Sequence, residues 1–288
     1  MFELLREPLF QLALVAALLV GLCAPAVGTF IVQRRLALLG DGIGHVALTG
    51  VALGFLTGSA PVLTAVIVSI AGAVAIELVR ARGRTSGDVA LALLFYGGIA
   101  GGVMLMAISP GGSNAKLNSY LFGAIASVTP EDIWVIAALA AAVIGMVVIF
   151  GRELFVLCQD EEMARASGLP VRFLSLLIAV TAALTVVIAM RVVGLLLVSA
   201  LMVIPVATSQ QLTRGFRATM LLAMVFGVLA SVGGLLASTV SAKVPPGAAI
   251  VLIALAGFVL ALVVGRFVRR GRTEESRVSP RMRVKEVA

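Results

Sequence analysis

The sequence predicts an all-α, polytopic helical membrane protein with about nine transmembrane helices, eight at the fewest. Of its 288 residues, 61% are hydrophobic and only 12% charged, against about 25% charged in a soluble domain. No water-soluble fold hides that much apolar surface, so lipid must be the solvent. The apolar residues form unbroken runs of the length that crosses a hydrocarbon core, not the short alternating segments of a β-barrel. The basic residues fall in the polar breaks between those runs, where orientation signals lie. The net charge of +8 therefore reflects topology, and no nucleic-acid partner is expected.

Taken in order, the first span is about Pro8 to Val32, and Gln33-Arg34-Arg35 ends it. The second is about Gly40 to Leu56. The third runs from about Pro61 to Val79, stopped by the basic stretch Arg80 to Arg84, and the fourth from about Val89 to Ile108. A polar stretch from Ser109 to Glu131 follows. Within it Lys116 to Ala126 suits a short surface helix, and Thr129-Pro130-Glu131-Asp132 reads as a cap: Thr129 at N-cap, Pro130 in the first turn, acids beside it. The fifth span is about Ile133 to Phe150, with Trp134 as an interface anchor. A charged loop from Gly151 to Arg172 comes next. Its CQDEEMARASGLP core reads as a short helix stopped by Gly168 and Pro170. Spans six and seven, about Phe173 to Met190 and Val192 to Ala207, are divided by Arg191. Pro205 removes a backbone bond in the seventh, so a kink or break is expected there. Spans eight and nine are about Ala218 to Val240 and Ala248 to Val268.

Alternating these spans puts Arg34 and Arg35, the 80–84 and 151–172 loops, Arg214, Arg217 and the C-terminal tail on one face. The positive-inside rule makes that face cytoplasmic, with the N-terminus outside. Residues 1–268 are expected to form one transmembrane domain and 269–288 a polar, basic, disordered cytoplasmic tail. The opening MFELLRE lacks a basic n-region, so no cleavable signal is expected. Leu22 is too large to precede a lipoprotein cysteine at Cys23. Cys23 and Cys158 are far apart and show no disulfide or CxxC pattern.

The chemistry-bearing stretch is GDGIGHVALTGVALGFLTG, Gly40 to Gly58. It holds the chain's one histidine, His45, and an acid, Asp41, four residues earlier. That spacing places both on one helix face. Ionisable groups inside a membrane span are costly and mark functional sites. A carboxylate and an imidazole suit Zn²⁺, Mn²⁺ or Fe²⁺. Two ligands make only half a site, completed across a dimer or left incomplete for transit. The structural alternative is that Asp41 caps the span and His45 bonds a backbone carbonyl. Gly50, Gly54 and Gly58, with Gly97/Gly101 and Gly98/Gly102, form small-xxx-small ladders that mark close helix contacts. Asp88 reads as a first-turn acid of the fourth span. There is no GxxxxGK[ST] phosphate loop, so any ATPase site must belong to another chain.

These residues also resemble a known family. GDGIGHVALTGVALG is similar to the GDxxxHAxxxGVAxG segment of bacterial zinc and manganese ABC-transporter permeases. SYLFGAIASVTPEDI resembles their YLFG…VTPEDL outer segment, and MRVVGLLLVSALMVIPVATSQQL their MKxVGxLLxxxLLxIPAATA stretch. The matches keep their order and span most of residues 8 to 265. The resemblance implies a type II ABC importer-like permease of the bacterial cytoplasmic membrane, a homodimer in the lipid bilayer with one central pathway. Two cytoplasmic ATP-binding subunits would drive it, and an extracytoplasmic metal-binding lipoprotein would deliver the ion. It implies no permanently bound cofactor and a cargo of Zn²⁺ or Mn²⁺, with Fe²⁺ also admitted. Asp41 and His45 match the metal-contacting pair. Tyr120, Leu121, Phe122 and Gly123 match the outer gate segment. Thr208, Gln210, Gln211, Thr213, Arg214, Gly215 and Arg217 match the region coupled to the ATPase. Zinc permeases of the family often carry a histidine where this chain has Tyr96, and an acid where it has Lys116. Participation of Asp88 or Tyr96 as further ligands stays open.

Two other classes remain: a proton-coupled secondary transporter using Asp41 and His45 as a relay, and a vitamin- or siderophore-type ABC permease. The first needs a proton gradient and no ATPase; the second needs no acid–histidine pair. An imidazole binds a cation only when neutral. Metal uptake is therefore expected to weaken as the pH falls below the ordinary imidazole range, as initial-rate uptake across a pH series would show.

Overall fold

The structure is a computed structural model that describes residues 7–81, 87–110, 114–123, 130–190, 192–239 and 244–283. The described residues form eleven helices: α1 (Pro8–Gln33), α2 (Leu39–Thr57), α3 (Pro61–Ala81), α4 (Gly87–Ile108), α5 (Asn114–Phe122), α6 (Pro130–Gln159), α7 (Glu161–Ala166), α8 (Val171–Met190), α9 (Leu195–Leu212), α10 (Phe216–Ser238) and α11 (Pro246–Arg283). Eight are long and apolar enough to cross a membrane. The ninth, α9, has 18 residues and so reaches about 27 Å. Its first end meets Gly123 of the α5 segment through Gly194. Its last turn lines a polar pocket with Gln33 and Gln159 at the opposite end of the bundle. Both α8 and α9 therefore run the full length, as the break at Arg191 suggests; Arg191 itself lies outside the described residues.

Several boundaries differ from the sequence reading, each for a physical reason. The stretch expected to be a charged loop from Gly151 is still helix, because α6 continues to Gln159. At the polar end of a span, Arg152 and Glu153 are good helix formers that need not stop it. The turn Val192–Gly194 delays α9 by three residues, and α9 then continues to Leu212 without a break at Pro205. Helix α11 runs from Pro246 to Arg283, and residues 284–288 lie outside the described residues. The expected helix from Lys116 is α5, which begins at Asn114 and ends at Phe122. The capping residue Thr129 lies outside the described residues, but α6 does begin on Pro130. The loop helix is α7, where Asp160 caps by accepting from the Glu162 and Met163 amides at 2.8 and 3.1 Å.

Helices α1, α2 and α8 lie mostly inside the bundle, while α3, α4 and α6 turn most of their surface outward. Lipid gives helices no hydrophobic reason to associate, so close van der Waals packing must hold them. Small residues make that possible around α1. Pro25 has no N–H and so frees the Gly21 carbonyl four residues earlier, and that carbonyl faces Gly227 of α10. Gly28 lies directly on the Met202 carbonyl of α9.

The two ends of the bundle are built differently. At the basic end, the largely buried Arg34 donates to Glu161 of α7 at 2.9 Å and to the Ser175 hydroxyl of α8 at 2.7 Å. That one guanidinium ties α1, α7 and α8 together. At the other end, Gly123 (φ +76°) and Gly194 (φ +90°) pack backbone on backbone, and Gly247 of α11 meets the carbonyls of Phe122 and Val193. Both left-handed positions are ones that residues with a Cβ rarely adopt.

A methyl group at Gly28 would overlap the Met202 carbonyl, whereas one at Gly145 meets nothing within 4 Å. Gly28→Ala is expected to destabilise the bundle by about 1–3 kcal/mol through overpacking. Gly145→Ala should be neutral or slightly stabilising. Thermal unfolding of both variants in detergent checks this.

Candidate metal centre

Asp41 lies in the first turn of α2 and His45 one turn further in. The turn that precedes α2 lies at the basic end, where α1 terminates with Arg35 in a left-handed conformation (φ 58°). The pair therefore sits in the basic half of the bundle, about 15 Å along the helix from Phe55. Phe55 packs edge-on against Tyr120 of the α5 segment, with ring centroids 6.0 Å apart.

Glycines fix α2 on two sides. Gly50 and Gly54 bring it onto Ala65, Thr64 and Pro61 of α3. From α4, Gly98 lies against the His45 backbone and Gly102 against Leu48. The Thr49 hydroxyl donates to the Gly98 carbonyl at 2.8 Å, a polar lock between the two helices. Gly44 faces the Leu195 carbonyl of α9. Gly58 does not extend the packing ladder expected of it: it is the left-handed C-cap of α2 (φ 67°), with open space around it. Gly97 likewise meets nothing, whereas Gly101 lies against the Thr49 side chain and Gly98 and Gly102 approach α2 most closely.

This packing gives the two candidate ligands different surroundings. His45 is buried, its ring edge-on to Phe95 at 4.5 Å between centroids. Its Nδ1 is a buried polar atom that no protein group bonds. Such an atom is costly in a membrane interior unless a partner reaches it. The alternative in which the imidazole bonds a backbone carbonyl finds no support at that nitrogen. Asp41 is half-buried and accepts from the Ser199 hydroxyl of α9 at 3.2 Å. Ser199 is the functional neighbour that sequence reasoning missed; no spacing rule links positions 158 residues apart. Asp41 opens on a cavity of ≈ 280 Å³ lined by Leu38, Leu91, Ala92, Phe95 and Tyr96. Tyr96 is 68% exposed there. The side chain of Asp88 lies outside the described residues.

No third histidine, cysteine or acid joins the pair among the described residues. Cys23 donates to the Ala140 carbonyl and Cys158 to the Phe30 carbonyl, both away from the pair. One chain thus offers one carboxylate at the wall of an open cavity, with the Ser199 hydroxyl bonded to it, and one buried imidazole a turn further along α2 that does not line the cavity.

The remaining sequence candidates separate by position. Tyr120 is buried, and Leu121, Phe122 and Gly123 form the backbone knot with Val192–Gly194 at the non-basic end. The stretch from Thr208 to Arg217 is not one surface. Thr208 is buried and donates to the Ile204 carbonyl, so its hydroxyl is turned into the bundle. Gln210, Gln211 and Thr213 are partly buried, and Thr213 bonds Thr219 at 2.8 Å. Arg214, Gly215 and Arg217 are exposed.

Comparison with known proteins places this geometry in a wider group. The model of the ABC 3 transport family matches residues 6–265. The manganese transport system membrane protein MntC of Halalkalibacterium halodurans is 35% identical over 259 residues, which cover 90% of this chain and 88% of that protein. The manganese import system permease protein ScaB of Streptococcus gordonii is 30% identical over 90% of this chain and 94% of its own length. Among solved structures, PsaBC from Streptococcus pneumoniae in complex with Fab superposes with a TM-score of 0.82 at 32% identity, over 90% of this chain and 93% of that one. The chain belongs to the ABC 3 transport family.

Proposed function

We propose that this member of the ABC 3 transport family is the membrane-spanning subunit of an ATP-driven importer for divalent transition-metal ions, with Mn²⁺ as its first candidate cargo. The observation that carries the reading is the Asp41–His45 pair on α2, with the unbonded buried Nδ1 of His45 and the open cavity at Asp41. The manganese transporters among the relatives support the choice of cargo. A carboxylate oxygen suits Mn²⁺, and an imidazole suits Zn²⁺ and Fe²⁺ as well, so the pair alone does not choose among them.

The cavity beside Asp41 opens on the exposed face of α4. A second copy packed there would bring two Asp41 and two His45 around one ion. Four oxygen and nitrogen donors suit a divalent transition-metal cation. Ser199 would keep the Asp41 carboxylate aimed at that centre, and Phe95 would hold the imidazole edge-on. The segment Tyr120–Gly123, packed on the end of α2 and the start of α9, stands where an outer gate would act on both helices. The positive-inside rule puts the basic end in the cytoplasm, with the N-terminus outside and the C-terminus inside. Two ATP-binding subunits would dock there on the exposed Arg214–Arg217 corner and on α7. Their motion would reach α1 and α8 through Arg34. An extracytoplasmic binding lipoprotein would load the ion from the opposite end.

Asp41→Ala and His45→Ala are each expected to lower ⁵⁴Mn²⁺ uptake by cells at least about tenfold at matched membrane abundance, since a metal ligand contributes no less than its outer-shell partners. Uptake at the wild-type rate in both variants would remove the pair from the pathway. Competition by unlabelled Zn²⁺ and Fe²⁺ in the same assay ranks the cargo ions.

A further inference from the structure

A second feature of the basic end is unrelated to the metal pair. Between α6 and α10 lies a groove of ≈ 760 Å³. Its walls are apolar toward the middle of the bundle, with Val147 and Val148 from α6 and Met220 and Leu221 from α10. Phe155 and Phe216 stack across it with ring centroids 4.9 Å apart. Gly151 leaves its α6 side open, because nothing stands within 4 Å of where a Cβ would be. Two cations, Arg152 and Arg217, line the same groove, and no acid does among the described residues. Both arginines are exposed. The α10 N-terminus also opens here. Gly215 offers it no capping side chain and its first turn holds no acid, so its free amides favour an anion. The flanking residues Val148, Ile149, Leu221 and Val225 are strongly exposed apolar side chains, as expected of a surface that faces lipid rather than water.

We propose that this groove binds an anionic glycerophospholipid, with its acyl chain between α6 and α10 and its phosphate between Arg152 and Arg217. The chemistry matches at both ends: an apolar slot leads to two guanidiniums at the level where the helices leave the hydrocarbon. A guanidinium pairs with phosphate oxygens through parallel N–H donors. Anionic headgroups are concentrated at the cytoplasmic leaflet, where juxtamembrane arginines attract them. A zwitterionic lipid fills the slot equally well but lacks the net charge that the two arginines and the helix end select. A bound lipid would brace α10 against α6 next to the exposed Arg214–Arg217 corner.

The test is native mass spectrometry of the full chain, purified in mild detergent with any subunits that stay bound, in micelles doped with phosphatidylglycerol or phosphatidylcholine. The wild-type protein is expected to retain phosphatidylglycerol through collisional activation in preference to phosphatidylcholine. The double variant Arg152→Gln/Arg217→Gln should retain about thirtyfold less, as loss of two headgroup contacts implies. Gly151→Leu, which fills the slot without changing charge, should lose retention as well. Arg165→Gln removes a cation on α7, outside the groove, and should retain lipid as the wild type does. Equal retention of the two lipids, undiminished retention in the double variant, or an equal loss in Arg165→Gln would overturn the proposal. So would a co-purifying subunit that keeps phosphatidylglycerol off the wild-type protein. Thermal unfolding of each variant confirms that it is folded when measured.

Discussion

The close approach of glycine backbones to neighbouring helices is the constraint on which this molecule depends. In lipid, apolar side chains gain nothing from leaving solvent for one another, so contact area and short range decide which helices pair. Helix α2 shows the consequence. Gly50 and Gly54 seat it on α3, Gly98 and Gly102 of α4 seat themselves on it, and Gly44 faces α9. These contacts leave His45 under Phe95 and turn Asp41 toward Ser199. The same packing that stabilises the bundle therefore aims the candidate ligands. A larger residue at Gly98 would push α4 away from the His45 backbone and loosen the site together with the fold.

The two ends use different forces. At the non-basic end the described residues close through tight backbone contacts, with Gly123 and Gly194 in left-handed conformations and Gly247 against two carbonyls, and through the Phe55 ring against Tyr120. At the basic end polar groups make the connections: Arg34 to Glu161 and Ser175, and Thr213 to Thr219. Polar contacts at a wet boundary break and re-form more readily than buried packing. The candidate pair stands between that end and the Gly123–Gly194 junction.

Much of the fold was legible in the sequence. Apolar run length set nine helices, because the hydrocarbon thickness is a ruler that tertiary contacts cannot change. Spans at Gly40–Leu56 and Pro61–Val79 match α2 and α3 to within a residue or two. Boundaries failed where polarity and helix ending are separate matters. Arg152 and Glu153 looked like a loop yet continue α6. A helix that leaves the membrane need not stop there. Val192 failed for another reason: the Gly123–Gly194 contact holds the chain in a turn, and that contact joins segments seventy residues apart. The Asp41–His45 pair was visible because both residues belong to one helix. The burial of Thr208 was not visible, because its motif shows sequence position, not the direction its hydroxyl takes.

By itself the sequence determined the solvent, the places of the long apolar helices and the likeness to metal-ion permeases. It also determined that an acid and an imidazole share one helix face. These follow from composition, run length and local periodicity, all of which act within about twenty residues. Only the tertiary structure decided that Ser199 holds Asp41, that Phe95 covers His45 and that Gly58 ends α2 rather than packing it. It also decided that a groove lined by two arginines separates α6 from α10. Each of these depends on which helices touch, and helix contact in lipid is set by the shapes of whole surfaces, which no local pattern encodes.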